Sequence, residues 1–256
     1  MVVAEDLAGV VLAAGRGSRL RPLTLERPKA LCPVGPDLLV DWALDRLERS
    51  GTVAVAVNAH HGADALVAHV GGSARWSGRV HLSVEAPVAL GTAGALHHLS
   101  DWLDGRPALV VNADAWTTAD PAVLVAAWNG HSPAVLVAGD EFGPSAAVAA
   151  AVVPADLIAQ LPEGPSGLWQ QVWERQHAEG NLQVVSTDAT FIDCGTPARY
   201  LYANMVASGG STVIGDGARM DGVAHRSVIW PGAVVSTGEV LVDAIRTGGG
   251  RTVLVR

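Results

Sequence analysis

The chain has 256 residues, 49% of them hydrophobic, and a formal charge of −8 at pH 7. That length suits one large α/β domain with a small appendage and a sizeable core. The acidic balance excludes a general nucleic-acid binder, whose footprint is basic, while leaving room for one small basic pocket. No apolar run reaches the roughly 18–20 residues that span a bilayer. Residues 1–13 lack the charged start and cleavage pattern of a signal peptide. Cys32 and Cys194 stand far apart without zinc-site spacing, which fits a reducing compartment. The expectation is a soluble, cytoplasmic protein with neither nucleic-acid nor membrane partners.

Leu7 to Ala13 is an apolar run that reads as a buried parallel strand. Pro22, Pro28, Pro33 and Pro36 then forbid a helix and leave a long structured loop. Helical spacing returns over 38–50, before Gly51. Strands are expected at 53–57, 80–84, 108–111 and 134–138, with helices at 63–70, 91–103 and 121–128 between them. Such alternation predicts a Rossmann-like, mixed and mostly parallel sheet with helices on both faces. Ligands bind beyond the carboxyl ends of strands in these sheets, and the runs leading to Gly15 and to Asp114 both end there.

Further on, strands are expected at 146–153, 182–185 and 190–192, and helices at 154–161, 168–179 and 197–206. Trp169 and Trp173, four apart, read as one helix face in the core. From Gly209 the character changes: Val228, Val234 and Val240 recur every six residues, as do Ile229, Val235 and Leu241. A six-residue period marks a hexapeptide-repeat, left-handed β-helix-like tail. So short a tail is expected to lean on the rest of the chain or on a second subunit. The boundaries are therefore 1–208 and 209–256.

The chemistry concentrates in Gly15-Arg16-Gly17-Ser18-Arg19-Leu20-Arg21-Pro22-Leu23-Thr24 and Arg27-Pro28-Lys29-Ala30, where Lys29 is the chain's single lysine. Glycines let backbone N–H groups approach an anion, and arginine and lysine complete a phosphate cradle. Leu20 and Pro22 exclude the dinucleotide fingerprint, so a dinucleotide-dependent oxidoreductase is disfavoured. The absence of Gly-Lys-Ser/Thr excludes the P-loop. Asp114 and Asp193 each close a strand pattern, and paired carboxylates at strand ends suit a hard divalent cation. His60 and His61 have no zinc-like spacing.

These segments, with Val57-Asn58-Ala59-His60-His61, Leu90-Gly91-Thr92-Ala93-Gly94, Val111-Asn112-Ala113-Asp114 and Ile192-Asp193-Cys194-Gly195-Thr196-Pro197, resemble the sugar-1-phosphate nucleotidylyltransferases. Among these, the resemblance is to the branch of mannose-1-phosphate guanylyltransferases and related uridylyltransferases. It implies Mg²⁺-dependent transfer of a nucleoside monophosphate from a nucleoside triphosphate (NTP) to a sugar-1-phosphate or similar phosphorylated alcohol. The products are an NDP-sugar and pyrophosphate. By the resemblance, Arg19, Lys29 and Asp114 are catalytic, and Asp114 and Asp193 bind Mg²⁺. The nucleotide is held by Ala13, Ala14, Gly15, Arg16, Gly17, Ser18, Arg19, Lys29, Glu85, Gly91, Thr92, Ala93 and Asn112, and the acceptor by Phe142 and Gly143.

Two departures stand out. Ala113 occupies the place of the family's usual glycine before the metal-binding aspartate. The family's Glu-Lys-Pro segment after the aromatic-glycine step is missing, since Gly143-Pro144-Ser145 runs straight into the next strand. Arg175 or Arg199 could stand in for its lysine. The alternative reading is a catalytically weakened, nucleotide- or NDP-sugar-binding regulatory subunit.

Overall fold

The computed structural model describes residues 6–255, so the outer limits of the two expected segments, at residues 1–5 and 256, lie outside the described residues. The chain forms two compact units. One holds the residues up to Gly15 with Val40–Ala113 and Thr117–Phe191, and the other holds Arg16–Leu39, Asp114–Trp116 and the residues from Ile192 onward.

The first unit is built on a seven-stranded sheet. Its strands are β1 (Ala8–Leu12), β2 (Ala54–Ala59), β3 (Val80–Val84), β4 (Ala108–Asn112), β5 (Ala134–Ala138), β6 (Val148–Val153) and β7 (Gln183–Thr187), in spatial order β7-β5-β6-β4-β1-β2-β3. All neighbours run parallel except β6, which is antiparallel to β4 and β5 and so makes the sheet mixed. The continuous apolar runs of β1, β4 and β5 are what burial on both faces demands. Leu12 is in register with both Asn58 and Asn112, so β1, β2 and β4 release the chain at one edge. Leu96, Leu99, Leu103, Val110, Val135, Val153, Val172 and Trp173 pack into a single core cluster.

Helix Leu39–Arg49 reaches its seat because Gly9 has no side chain: a Cβ there would lie 2.9 Å from Leu47 Cδ1. Its Arg46 is buried and donates to the carbonyls of Ala119 and Ala149. Burial lowers the Arg46 pKa to about 10, and the two carbonyls give this desolvated cation its partners.

Three elements differ from expectation. The helix over 91–103 breaks at Leu99 into Gly91–His98 and Ser100–Leu103. The expected helix over 168–179 opens as a π-helical turn, Trp169–Trp173, before Glu174–Ala178. A short strand unseen in the sequence pattern, Ala115–Thr117, pairs with Phe191–Asp193.

In the second unit, residues 16–39 carry three 3₁₀ turns, Ser18–Leu20, Leu23–Leu25 and Lys29–Leu31, as the prolines dictate. Helix Pro197–Ala207 follows, capped by the Thr196 hydroxyl accepting from Arg199 N. Beyond it come short strands. Val213–Ile214 pairs in parallel with Val228–Ile229, and Val228–Ile229 with Ala244–Arg246. Arg219–Met220 pairs with Val234–Val235, and Val223–His225 with Val240–Val242, again in parallel. Ile229, Ala233, Val235, Leu241 and Ala244 form their common core.

One ion pair in the first unit makes stability depend on pH. His69 Nε2 meets the Asp41 carboxylate at 2.9 Å, and Asp41 also accepts from Trp76 Nε1 at 3.0 Å. The hydrogen bond to Asp41 raises the His69 pKa above its ordinary value of 6.5. The pair's contribution is thus complete below about pH 6.5, the unfolded value, and disappears as pH rises through the higher folded value. Denaturant titrations at pH 5.5 and 8.5 should therefore show a smaller pH difference for His69→Gln than for the parent.

Candidate functional site

In the second unit the catalytic candidates meet around one ammonium. Lys29 Nζ lies 3.2 Å from Asp114 Oδ2 and 3.2 Å from Asp193 Oδ1. The Lys29 side chain is only 7% exposed, whereas those of Asp114 and Asp193 are 55% and 40% exposed. Arg19 Nη2 reaches the other oxygen of Asp193 at 3.5 Å from a largely exposed position. Two cations therefore balance two carboxylates at a site that stays open to water.

Local sequence explains the arrangement. Asp114 precedes the strand Ala115–Thr117, Asp193 ends the strand Phe191–Asp193, and Cys194 N donates to Asp114 O at 3.1 Å, holding the two turns side by side. Gly17 adopts φ +60°, and a Cβ on it would come within 2.9 Å of Thr24 and 3.1 Å of Lys29 Cβ. Thr24 Oγ1 donates to Gly17 O at 2.9 Å, so the loop closes on itself around the base of Lys29. At Gly195 a Cβ would sit 2.8 Å from Asp193 Oδ2 and 3.0 Å from Arg19 Nη2, filling the space those groups use.

That geometry tests the expected Mg²⁺. Asp114 and Asp193 are paired with Lys29 yet stay well exposed, so two hard carboxylates face a site open to water, the donor chemistry that a divalent cation takes. Among the described residues no three His, Cys, Asp or Glu side chains gather to hold a metal. A cation here must therefore draw its other ligands from phosphate and water, which is the habit of Mg²⁺.

The loop rests on the C-terminal residues of its own unit. Glu26 Oε1 accepts from Thr247 Oγ1 at 2.6 Å and Oε2 from Gly249 N at 3.1 Å. The Arg27 guanidinium lies 4.6 Å from the centre of the Trp230 ring. Trp230 Nε1 donates to Tyr200 Oη at 3.0 Å, and Tyr200 donates to Pro33 O. Burial pushes the Tyr200 pKa well up, so the phenol stays a neutral donor.

In the first unit, Ala13 N donates to Asn58 Oδ1 at 2.7 Å, Asn58 Nδ2 to Glu85 Oε1 at 2.6 Å, and Leu90 N to Glu85 Oε2 at 2.7 Å. Glu85 is 2% exposed with both oxygens engaged. Where the resemblance sets it against a base, the structure makes it a bracket between the end of β1 and the Leu90–Gly91 turn. Ala13, Ala14 and Ala93 are buried too, while Gly15, Arg16, Ser18 and Arg19 are open to solvent. Ala93 N already donates to Ser166 O at 3.0 Å, and Thr92 Oγ1 accepts from Leu168 N at 2.7 Å. Gly91 and Gly94 are required by the 164–166 backbone, which added Cβ atoms would meet at 2.5 and 2.3 Å.

A cavity of about 310 Å³ lies in this unit, lined by Leu12, Thr92, Asn112, Phe142, Gly143, Trp169 and Trp173 among others. It contains both expected acceptor residues. It is also lined by Trp173, a member of the core cluster, and by Trp169, packed against that cluster, so the core face their spacing predicts forms one of its walls. Arg175 and Arg199 are exposed and do not line it.

A family model described as nucleotidyl transferase matches residues 8–161. N-acetylmuramate alpha-1-phosphate uridylyltransferase of Caulobacter vibrioides is 31% identical over 228 residues, which is 76% of this chain and 94% of that protein. Mannose-1-phosphate guanylyltransferase of Mycobacterium tuberculosis is 32% identical over 122 residues, 47% of this chain but 33% of that protein. The crystal structure of HddC from Yersinia pseudotuberculosis complexed with GMP-PN superimposes with a TM-score of 0.63, covering 78% of this chain and 99% of that one. At 17% identity it shows a shared fold.

Glu26→Ala removes two charge-assisted hydrogen bonds worth about 1.5–3 kcal/mol each. Hydrogen exchange should accelerate together at residues 21–29 and 247–251 and stay unchanged in β2, measured by mass spectrometry.

Proposed function

Since the chain belongs to the nucleotidyl transferase family, we propose that it transfers a nucleoside monophosphate from an NTP to a sugar-1-phosphate, with Mg²⁺, yielding an NDP-sugar and pyrophosphate. The observation that supports this reading most is the buried Lys29 ammonium shared by Asp114 and Asp193, with Arg19 beside Asp193.

The acceptor's nucleophile is a phosphate oxygen, already ionised at neutral pH, so no general base is needed. An anion must nevertheless attack a polyanion, and the barrier is one of repulsion and alignment. Gly15, Arg16, Gly17 and Ser18 cradle the triphosphate on backbone amides, helped by Arg19, and Lys29 neutralises charge at the α-phosphate. The acceptor oxygen bonds to the α-phosphorus as its bond to the bridging oxygen breaks, and pyrophosphate leaves with that electron pair. Asp114 and Asp193 would hold Mg²⁺, which when bound supplies charge neutralisation on phosphate oxygens. Asn58 and Glu85 shape the turn that carries Gly91, Thr92 and Ala93 towards base and ribose. Asn112 completes the nucleotide side, and Phe142 and Gly143 meet the acceptor.

In the same reading, residues 1–208 are the transferase segment. Residues 209–256 are a hexapeptide-repeat, left-handed β-helix-like support, as their parallel pairs of short strands suggest. Among the described residues no helix is long and apolar enough to cross a membrane. With two free buried cysteines, that fits work in the cytoplasm.

Incubation with each NTP, Mg²⁺ and a panel of sugar-1-phosphates should release pyrophosphate. NTP binding by calorimetry without release from any pair would favour the regulatory-subunit reading instead. Lys29→Ala and Asp114→Asn should each lower turnover about a hundredfold or more, the scale of a lost transition-state electrostatic group. Circular dichroism should show both variants folded, and near-normal turnover in either would remove that residue from the mechanism.

A further inference from the structure

The first unit's cavity carries an unusual chemical signature. Of the side chains lining it, none is charged. Its wall is aromatic: Phe142 lies 5.7 Å from Trp169, centre to centre, and Trp173 completes the surface. The π-helical turn Trp169–Trp173 carries both indoles to this wall; π-turns of this kind concentrate at functional sites.

The polar groups present are neutral. Thr92 contributes a hydroxyl whose oxygen already accepts from Leu168 N, leaving its proton to donate. Among the described residues, no partner takes the Asn112 amide or the indole N–H of Trp169 or Trp173. The cavity thus offers an apolar wall, several neutral donors and no cation. Leu12 and Asn112 place it beyond the carboxyl ends of β1 and β4, where this fold class binds ligands.

We infer that this cavity takes the sugar part of an acceptor sugar-1-phosphate and selects an acetamido sugar whose ring substituents carry no charge, with Trp169, Trp173 and Phe142 as its specificity-determining residues. This rests on the transferase reading. An acetamido group has the matching halves: a methyl group to pack against aromatic rings and a carbonyl oxygen to accept from indole, amide or hydroxyl. A hexose with a hydroxyl in that place leaves the apolar wall unfilled. A sugar acid brings a carboxylate that no cation in the lining can pair, and burying an unpaired charge is costly.

The test uses the full chain and three probes: N-acetyl-α-glucosamine 1-phosphate, α-glucose 1-phosphate and α-glucuronic acid 1-phosphate. Binding is read by tryptophan fluorescence and calorimetry, independently of turnover, and pyrophosphate release is measured in parallel with each NTP. The acetamido probe should bind at least about tenfold more tightly than the other two, the scale on which a hydrophobic pocket reads a small substituent. Trp169→Ala and Phe142→Ala should bring the three affinities together while the NTP affinity holds. Trp169→Phe keeps the apolar wall and should restore most of the preference, which a merely misfolded cavity would not do.

Equal binding of the probes, or a preference for glucose or the acid, overturns the inference even if pyrophosphate is released. Preferential binding of the acetamido probe without release from any NTP supports the inference and overturns the transferase reading alone.

Discussion

A single buried ammonium organises the chemical half of this protein. Asp114 and Asp193 come from turns 79 residues apart in the chain, and two carboxylates brought together repel unless a cation stands between them. Lys29 is that cation, and the chain contains no other lysine to take its place. The glycine at 17 and the closure of Thr24 onto Gly17 bring its Cβ to the right point. Lys29, Arg19 and the two aspartates together leave the cluster near neutral.

The other half of the protein works by the opposite principle. Two of its charged side chains, Glu85 and Arg46, are buried and engaged internally, one as a bracket between β1 and a turn, the other as a donor to two carbonyls. The lining of its cavity, by contrast, is neutral: aromatic and aliphatic side chains, an amide and a hydroxyl.

Much of this organisation is legible in the order of residues alone. Val80–Val84 and Ala134–Ala138 fall where expected because β-branched, apolar runs bounded by polar or proline-containing segments leave few alternatives. The pairing of Asp114 with Asp193 is implied by the family's motifs rather than by any local pattern. Glu85 escapes such reasoning because its partners, Asn58 and Leu90 N, are set by tertiary contacts that no local pattern encodes. The π-turn is invisible for a different reason. Over five residues its period cannot be told from that of an α-helix, and positions four apart share a face in either, so Trp169 and Trp173 keep the core face their spacing predicts. The strand Ala115–Thr117 is simply too short to show a period.

The grip of Glu26 on Thr247 and Gly249 spans 221 and 223 positions of sequence. Contacts of that separation are the last a growing chain can make, because their second half is synthesised only after everything between. A nascent chain that has already folded its seven-stranded sheet still holds the Lys29 loop without its rear anchor. The support of the Lys29 loop therefore waits on residues 247–249, which reach it through one carboxylate.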